Sequence, residues 1–156
     1  MASNKDRLTI CSGGQAGADR AALDWAIARG IPHSGWCPRG RKAEDGEIAA
    51  VYQLHETESA NYRARTSRNV RDSDATLIVN LGELGGGSLQ TLRFAERIGK
   101  PVRVIQMDTA PDDSVTESLR AWLDGLQVEK LNIAGPRESK RPGIYQATRA
   151  LLDRLF

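Results

Sequence analysis

A chain of 156 residues, 40% hydrophobic and 27% charged, has the size and composition of one folded domain with a core of its own. Its 22 Lys and Arg against 20 Asp and Glu leave a net charge of +2, too balanced for a general nucleic-acid or membrane-surface binder. No segment has the length of a membrane span, and the polar start Met1 to Arg7 does not resemble a secretion signal. Cys11 and Cys37 stand in no zinc-binding spacing, so a cytoplasmic, reducing compartment is the expectation.

A short apolar run, Leu8 to Cys11, reads as a strand and leads into the glycine-rich turn Ser12-Gly13-Gly14-Gln15-Ala16-Gly17. The following segment, Gly17 to Arg29, carries Ala18, Ala22, Trp25 and Ala26 at helical spacing, with Gly30 placed to end the helix. A glycine-rich turn between strand and helix suits an oxyanion, because the backbone approaches closely and the first helical N–H groups point outward. Ile31 to Cys37 reads as a second strand interrupted by Pro32, and Pro38 to Glu47 as a long polar loop. Ser59 to Arg71 has a helical pattern with Ser59 as N-cap, yet it is polar all round and studded with Arg63, Arg65, Arg68 and Arg71.

Ala75 to Leu81 is the most strand-like run, continuous enough for a central parallel strand covered on both faces. A second glycine turn follows, Gly85-Gly86-Gly87-Ser88, before a helix marked by Leu89, Leu92, Ala95 and Ile98. Val102 to Gln106 is another strand. A helix from about Ser114 to Leu126 shows a Ser114/Glu117 capping box, Val128 to Ile133 is the last strand, and Ile144 to Leu155 the last helix. This alternation predicts an α/β fold over residues 1–156: one doubly wound, mostly parallel five-stranded sheet, Rossmann-like, with helices on both faces. Taken by analogy in the order 2-1-3-4-5, its switch point lies beside the two strands that feed glycine turns.

The candidate contacts gather at that edge. Gly13, Gly14, Gln15, Ala16 and Gly17 form the first turn, Asp19 and Arg20 the first helical turn after it. A cation such as Arg20 is mildly unfavourable at a helix N-terminus unless an anion lies near. Gly85, Gly86, Gly87 and Ser88, with Thr91 one turn further, offer a second set of donors. Arg39 and Arg41 follow the second strand, and Glu44 and Asp45 beside them have the chemistry of a general base or a ribose contact. Thr66 and Asn69 share a helix face with Tyr62, and Arg137 and Ser139 lie in the loop Asn132 to Ser139. Neither turn has the Gly-Lys-Ser/Thr ending of a P-loop, and Gly13, Gly14 and Gly17 miss the Gly-x-Gly-x-x-Gly spacing. No Ser-His-Asp arrangement and no metal-ligand set is evident.

The stretches Gly13 to Asp24, Gly35 to Gly46, Thr66 to Asp74, Asn132 to Ser139 and Pro142 to Tyr145 together resemble the molybdenum-cofactor carrier family, of the SLOG superfamily of Rossmann-like proteins. The resemblance runs over nearly the whole chain. It implies a homo-oligomer, dimer or tetramer, that binds the molybdenum cofactor (a pterin carrying a phosphate and a dithiolene-held oxomolybdenum) without changing it. It implies molybdoenzymes as partners receiving the cofactor. Two departures stand out. Ala16 occupies a position where the family often has Thr. The second turn also lacks the downstream Glu of the superfamily's phosphoribohydrolases, Thr91 and Leu92 standing in that region. An alternative reading is a nucleotide-processing enzyme that hydrolyses the N-glycosidic bond of a nucleoside monophosphate, with Glu44 or Asp45 as its carboxylate.

Overall fold

The structure is a computed structural model and describes residues 4–156, so Met1 to Ser3 of the polar start lie outside the described residues. After a short helix α1 (Asn4–Arg7), strand β1 (Thr9–Cys11) and helix α2 (Ala18–Ala28) flank the first glycine turn. The expected second strand is two: β2 (His33–Ser34) and β3 (Trp36–Cys37). They part at Gly35, whose φ of 143° is closed to L side chains and whose Cα lies against the Ser12 backbone. The presumed loop Pro38 to Glu47 holds a small antiparallel hairpin, β4 (Lys42–Ala43) and β5 (Gly46–Glu47). Strand β6 (His55–Glu56), which has no periodic signal, pairs in parallel with β3.

Helix α3 (Tyr62–Asp72) is capped by Asn61, whose side chain accepts from the Arg63 N–H, rather than by Ser59. Then come β7 (Ala75–Asn80), α4 (Gly86–Arg97), β8 (Val102–Gln106), α5 (Asp113–Gly125), β9 (Lys130–Ala134) and α6 (Ile144–Leu155). The N-cap of α5 is Asp112, which accepts from the Val115 N–H and from the Ser114 hydroxyl, so the Ser114/Glu117 box is not the cap.

The fold is the expected α/β sheet with five parallel strands and helices on both faces, but its order is β2-β1-β9-β7-β8. The assumed 2-1-3-4-5 is therefore corrected: the last strand inserts between the first and the β7 strand. Strand adjacency is a long-range choice that no local pattern encodes. Here β9 hydrogen-bonds on both edges, and its start is held by Asp74, which accepts from the Glu129 and Lys130 N–H groups at 3.0 and 2.8 Å. Counted from β9 through β1, β2, β7 and β8, the order reads 3-2-1-4-5, the first five strands of the doubly wound 3-2-1-4-5-6 order entered at a different strand.

The pleat divides the two faces unequally. Leu77 and Val79 of β7 and Leu131 and Ile133 of β9 join Ile10, Trp25, Leu119 and Leu151 in the main core, beneath α2, α5 and α6. The alternate positions Thr76 and Asn132 point the other way and bond to each other at 3.3 Å, beneath α3 and α4. Those two helices bury little besides Asn69, Val70, Ser88, Thr91 and Ala95. One face is thus a hydrocarbon core and the other a polar floor.

Hydrogen bonds from Lys130 and Glu129 hold the Asp74 carboxyl below its ordinary range. A depressed folded-state value contributes stability that is present above the unfolded value, near pH 4, and is lost as pH falls below it. Asp74→Ala is expected to lower the melting temperature at pH 7. The gap from the parent protein should close as thermal melts are repeated from about pH 4 downward; a gap independent of pH would show that the clamp is not ionic.

Candidate functional site

The floor of the α3–α4 face opens at the carboxyl ends of β9 and β7, where the chain leaves for opposite sides of the sheet, into a cavity of about 590 Å³. Its walls are α3 from Tyr62 to Asn69, α4 along its length from Gly87 to Arg97, the first glycine turn and the loop after β9. Of the residues expected in a site, Gly13, Gln15, Asp19, Thr66, Asn69, Gly87, Ser88, Thr91 and Arg137 line it. Gly14, Ala16, Gly17, Arg20, Arg39, Arg41, Gly85, Gly86, Ser139, Glu44 and Asp45 do not.

The first turn satisfies most of its N–H groups from within the chain, leaving those of Gly13 and Gly17 without an acceptor among the described residues. Gly14 N–H donates to the Ser12 hydroxyl, Gln15 N–H to the Asp19 carboxylate, Ala16 N–H to the Gln15 side-chain oxygen, and Ala18 N–H to the Pro136 carbonyl. A resident carboxylate therefore sits where an external oxyanion was expected. Asp19 is 3% exposed and forms an ion pair of 2.7 Å with Arg65, which reaches it by lying flat over Gly13. A Cβ on Gly13 would fall on the Arg65 guanidinium. Burial pushes the Asp19 carboxyl above its usual range, with Arg65 pulling in the opposite direction. Arg65 keeps unused donors, including a buried Nε with no partner.

The second turn is different. The N–H groups of Gly86, Gly87 and Ser88 have no acceptor among the described residues, and they open α4 with no acidic residue in its first turn. Ser88 is 6% exposed, lines the cavity, and its hydroxyl has no partner among the described residues. Lys140 brings its ammonium against Gly86, where a Cβ would collide with Nζ. A cation held at a helix N-terminus opposes the dipole unless an anion lies between them. Thr91 instead bonds back to the Gly87 carbonyl at 2.9 Å, and Asn69 is occupied with Trp36 and Cys11.

Several expected contacts turn out to brace the mouth. Arg41 donates to the carbonyls of Ile48, Ala49, Tyr52 and Leu54 and so shapes the segment between β5 and β6. Arg20 holds Asp45 in a two-point ion pair of 2.9 and 3.2 Å, which keeps that carboxyl below its usual range. Glu44 accepts from the Ser139 N–H and hydroxyl, while its own N–H donates to Gln15. Arg141 ties the loop after β9 to the loop after β7 through the carbonyls of Leu81 and Glu83.

Sequence reasoning missed Arg63, Arg93, Arg97 and Lys140 as lining residues. With Arg65 and Arg137 they make six cations on the wall against one carboxylate, Asp19, which is already paired. The signal was present in the polar, arginine-rich pattern of α3 and in the basic residues at i and i+4 of α4.

A model of the circularly permutated YpsA SLOG family matches residues 10–156. A crystal structure from Syntrophus aciditrophicus, named Putative molybdenum carrier protein, is 47% identical to this chain, with a TM-score of 0.91. The match covers 95% of this chain and 94% of that one. No curated protein matches. The permutation is visible in the sheet, which takes the 3-2-1-4-5 order only when counted from its last strand. The chain belongs to the circularly permutated YpsA SLOG family.

Proposed function

We propose that this protein binds and carries the molybdenum cofactor or a related phosphorylated, nucleotide-like ligand without changing it. The observation that carries the reading is the second turn: at one cavity wall stand the Gly87 and Ser88 N–H groups, the Ser88 hydroxyl and the Lys140 ammonium, none of them with a partner among the described residues. Those are the donors a phosphate takes at a helix N-terminus. Arg65 and Arg137 add charge from the facing walls, and Asn132 supplies a polar floor. The name of the Syntrophus relative points to the same cargo.

The first turn is assigned a bracing role in this reading. Gly14, Ala16, Gly17 and Arg20 hold Asp19 and the hairpin in place, so Ala16 does not weaken the proposed anion contact. Glu44 and Asp45 are tied to Ser139 and Arg20 and lie off the cavity wall, which favours binding over glycosidic cleavage. A carrier hands its cargo on, so molybdoenzymes are the partner class, and a homo-oligomer is the assembly to look for by light scattering.

Calorimetry with the molybdenum cofactor, molybdate and nucleoside monophosphates is the deciding measurement. A phosphorylated ligand is expected to bind, and to bind more weakly as salt rises. No binding above background by any phosphorylated ligand would overturn the reading, and release of free base from AMP would overturn the carrier part of it.

Lys140→Ala and Ser88→Ala are each expected to weaken that binding, Lys140→Ala by about tenfold or more. Gly13→Ala is expected to displace Arg65, lowering both affinity and melting temperature. Breaking a buried pair of this kind costs on the order of 3 kcal/mol. Unchanged melting would show that Arg65 reaches Asp19 by another path.

A further inference from the structure

The cavity does not end at the phosphate position. It continues between α3 and α4 along Gly87, Gln90, Phe94 and Arg97, spaced i, i+3, i+7 and i+10 and therefore on one stripe of α4. Thr66 and Ser67 of α3 line the same groove and are too small to fill it. Phe94 stands toward its far end, with the guanidinium groups of Arg71 and Arg97 each 5.3 Å from the ring centre. Arg93 lies beside them with no carboxylate partner among the described residues, and Arg97 has none either. Like charges at i and i+4 repel, and the one acidic residue of the facing helix, Asp72, accepts from the Trp36 indole N–H instead.

We propose that this end of the groove is a second anion subsite, and that the ligand is an elongated small molecule carrying two separated anionic groups. One group would sit at the start of α4, the other against Arg93 and Arg97, with the ligand's body passing over Thr66 and Gln90. At 1.5 Å per helical residue, Arg93 stands about 7 Å and Arg97 about 13 Å along α4 from Ser88. The nearer of these matches the separation between the two phosphates of one nucleoside bisphosphate. The balanced net charge of +2 favours a small molecule over a nucleic-acid strand. The proposal rests on the phosphate reading of the second turn.

The test compares inorganic phosphate, AMP, adenosine 3′,5′-bisphosphate and a short oligoadenylate by calorimetry, on the parent chain, on Arg93→Gln/Arg97→Gln and on Lys140→Ala. The bisphosphate is expected to bind about tenfold tighter than AMP to the parent chain. Arg93→Gln/Arg97→Gln should remove that advantage while leaving AMP within about twofold; Lys140→Ala should weaken both ligands. A circular dichroism melt confirms that the variants fold, since these arginines are exposed. Equal affinity of AMP and bisphosphate for the parent, or equal losses of both in Arg93→Gln/Arg97→Gln, would overturn the second subsite while leaving the first intact. Affinity that keeps rising with oligoadenylate length would overturn the small-molecule assignment in favour of a nucleic-acid strand. If none of the probes binds, phosphate included, the second-turn reading falls and takes this proposal with it.

Discussion

The ion pair between Asp19 and Arg65 joins the two sides of the sheet. Asp19 begins α2, on the hydrocarbon face, and Arg65 belongs to α3, on the polar face. Their side chains meet past the end of β1, through the space that Gly13 leaves by having no side chain. Both charges are largely withdrawn from water, so each depends on the other, and separating them would strand a buried charge. Because of this pair a resident carboxylate occupies the first glycine turn, α3 is fixed close to the mouth of the cavity, and donors remain open on Arg65.

A second level of bracing surrounds the pair. Gln15, Glu44 and Ser139 form a chain of hydrogen bonds from the first turn through the hairpin to the loop after β9. Arg141 continues it to the loop after β7. Loops from distant parts of the sequence are thereby held as one rim, and Arg137 and Lys140 are presented from a segment anchored on both sides. The carboxylates that looked chemically active in the sequence are part of this framework.

The sequence made the layers and their alternation legible, because helices and strands advertise themselves through local periodicity. Trp25, Ala26, Leu77, Val79 and Leu151 were readable as core for that reason. Strand order was not readable: the insertion of β9 beside β1 depends on edge-to-edge pairing and on Asp74, features that only appear once distant segments meet. The short strands β4 to β6 escaped notice because two residues cannot establish a period. At the site, glycine turns pointed to the right edge of the sheet, but composition could not tell a turn that satisfies most of its own N–H groups from one that leaves them open. Asp19, four residues beyond Gln15, was the clue in the first turn. The absence of any acidic residue in the first turn of α4, with Lys140 arriving from 54 positions away, separates the second.

The resident carboxylate also has a consequence for orientation. Asp19 and the N–H donors of α4 stand on the walls of one cavity: the carboxylate is matched by Arg65, while the donors have no acceptor among the described residues. A ligand with unlike ends meets a field with a direction as well as a sign. Under the proposed function, the negatively charged head of such a ligand is turned toward the β7 side, where donors are left open, so an asymmetric molecule has a preferred way round.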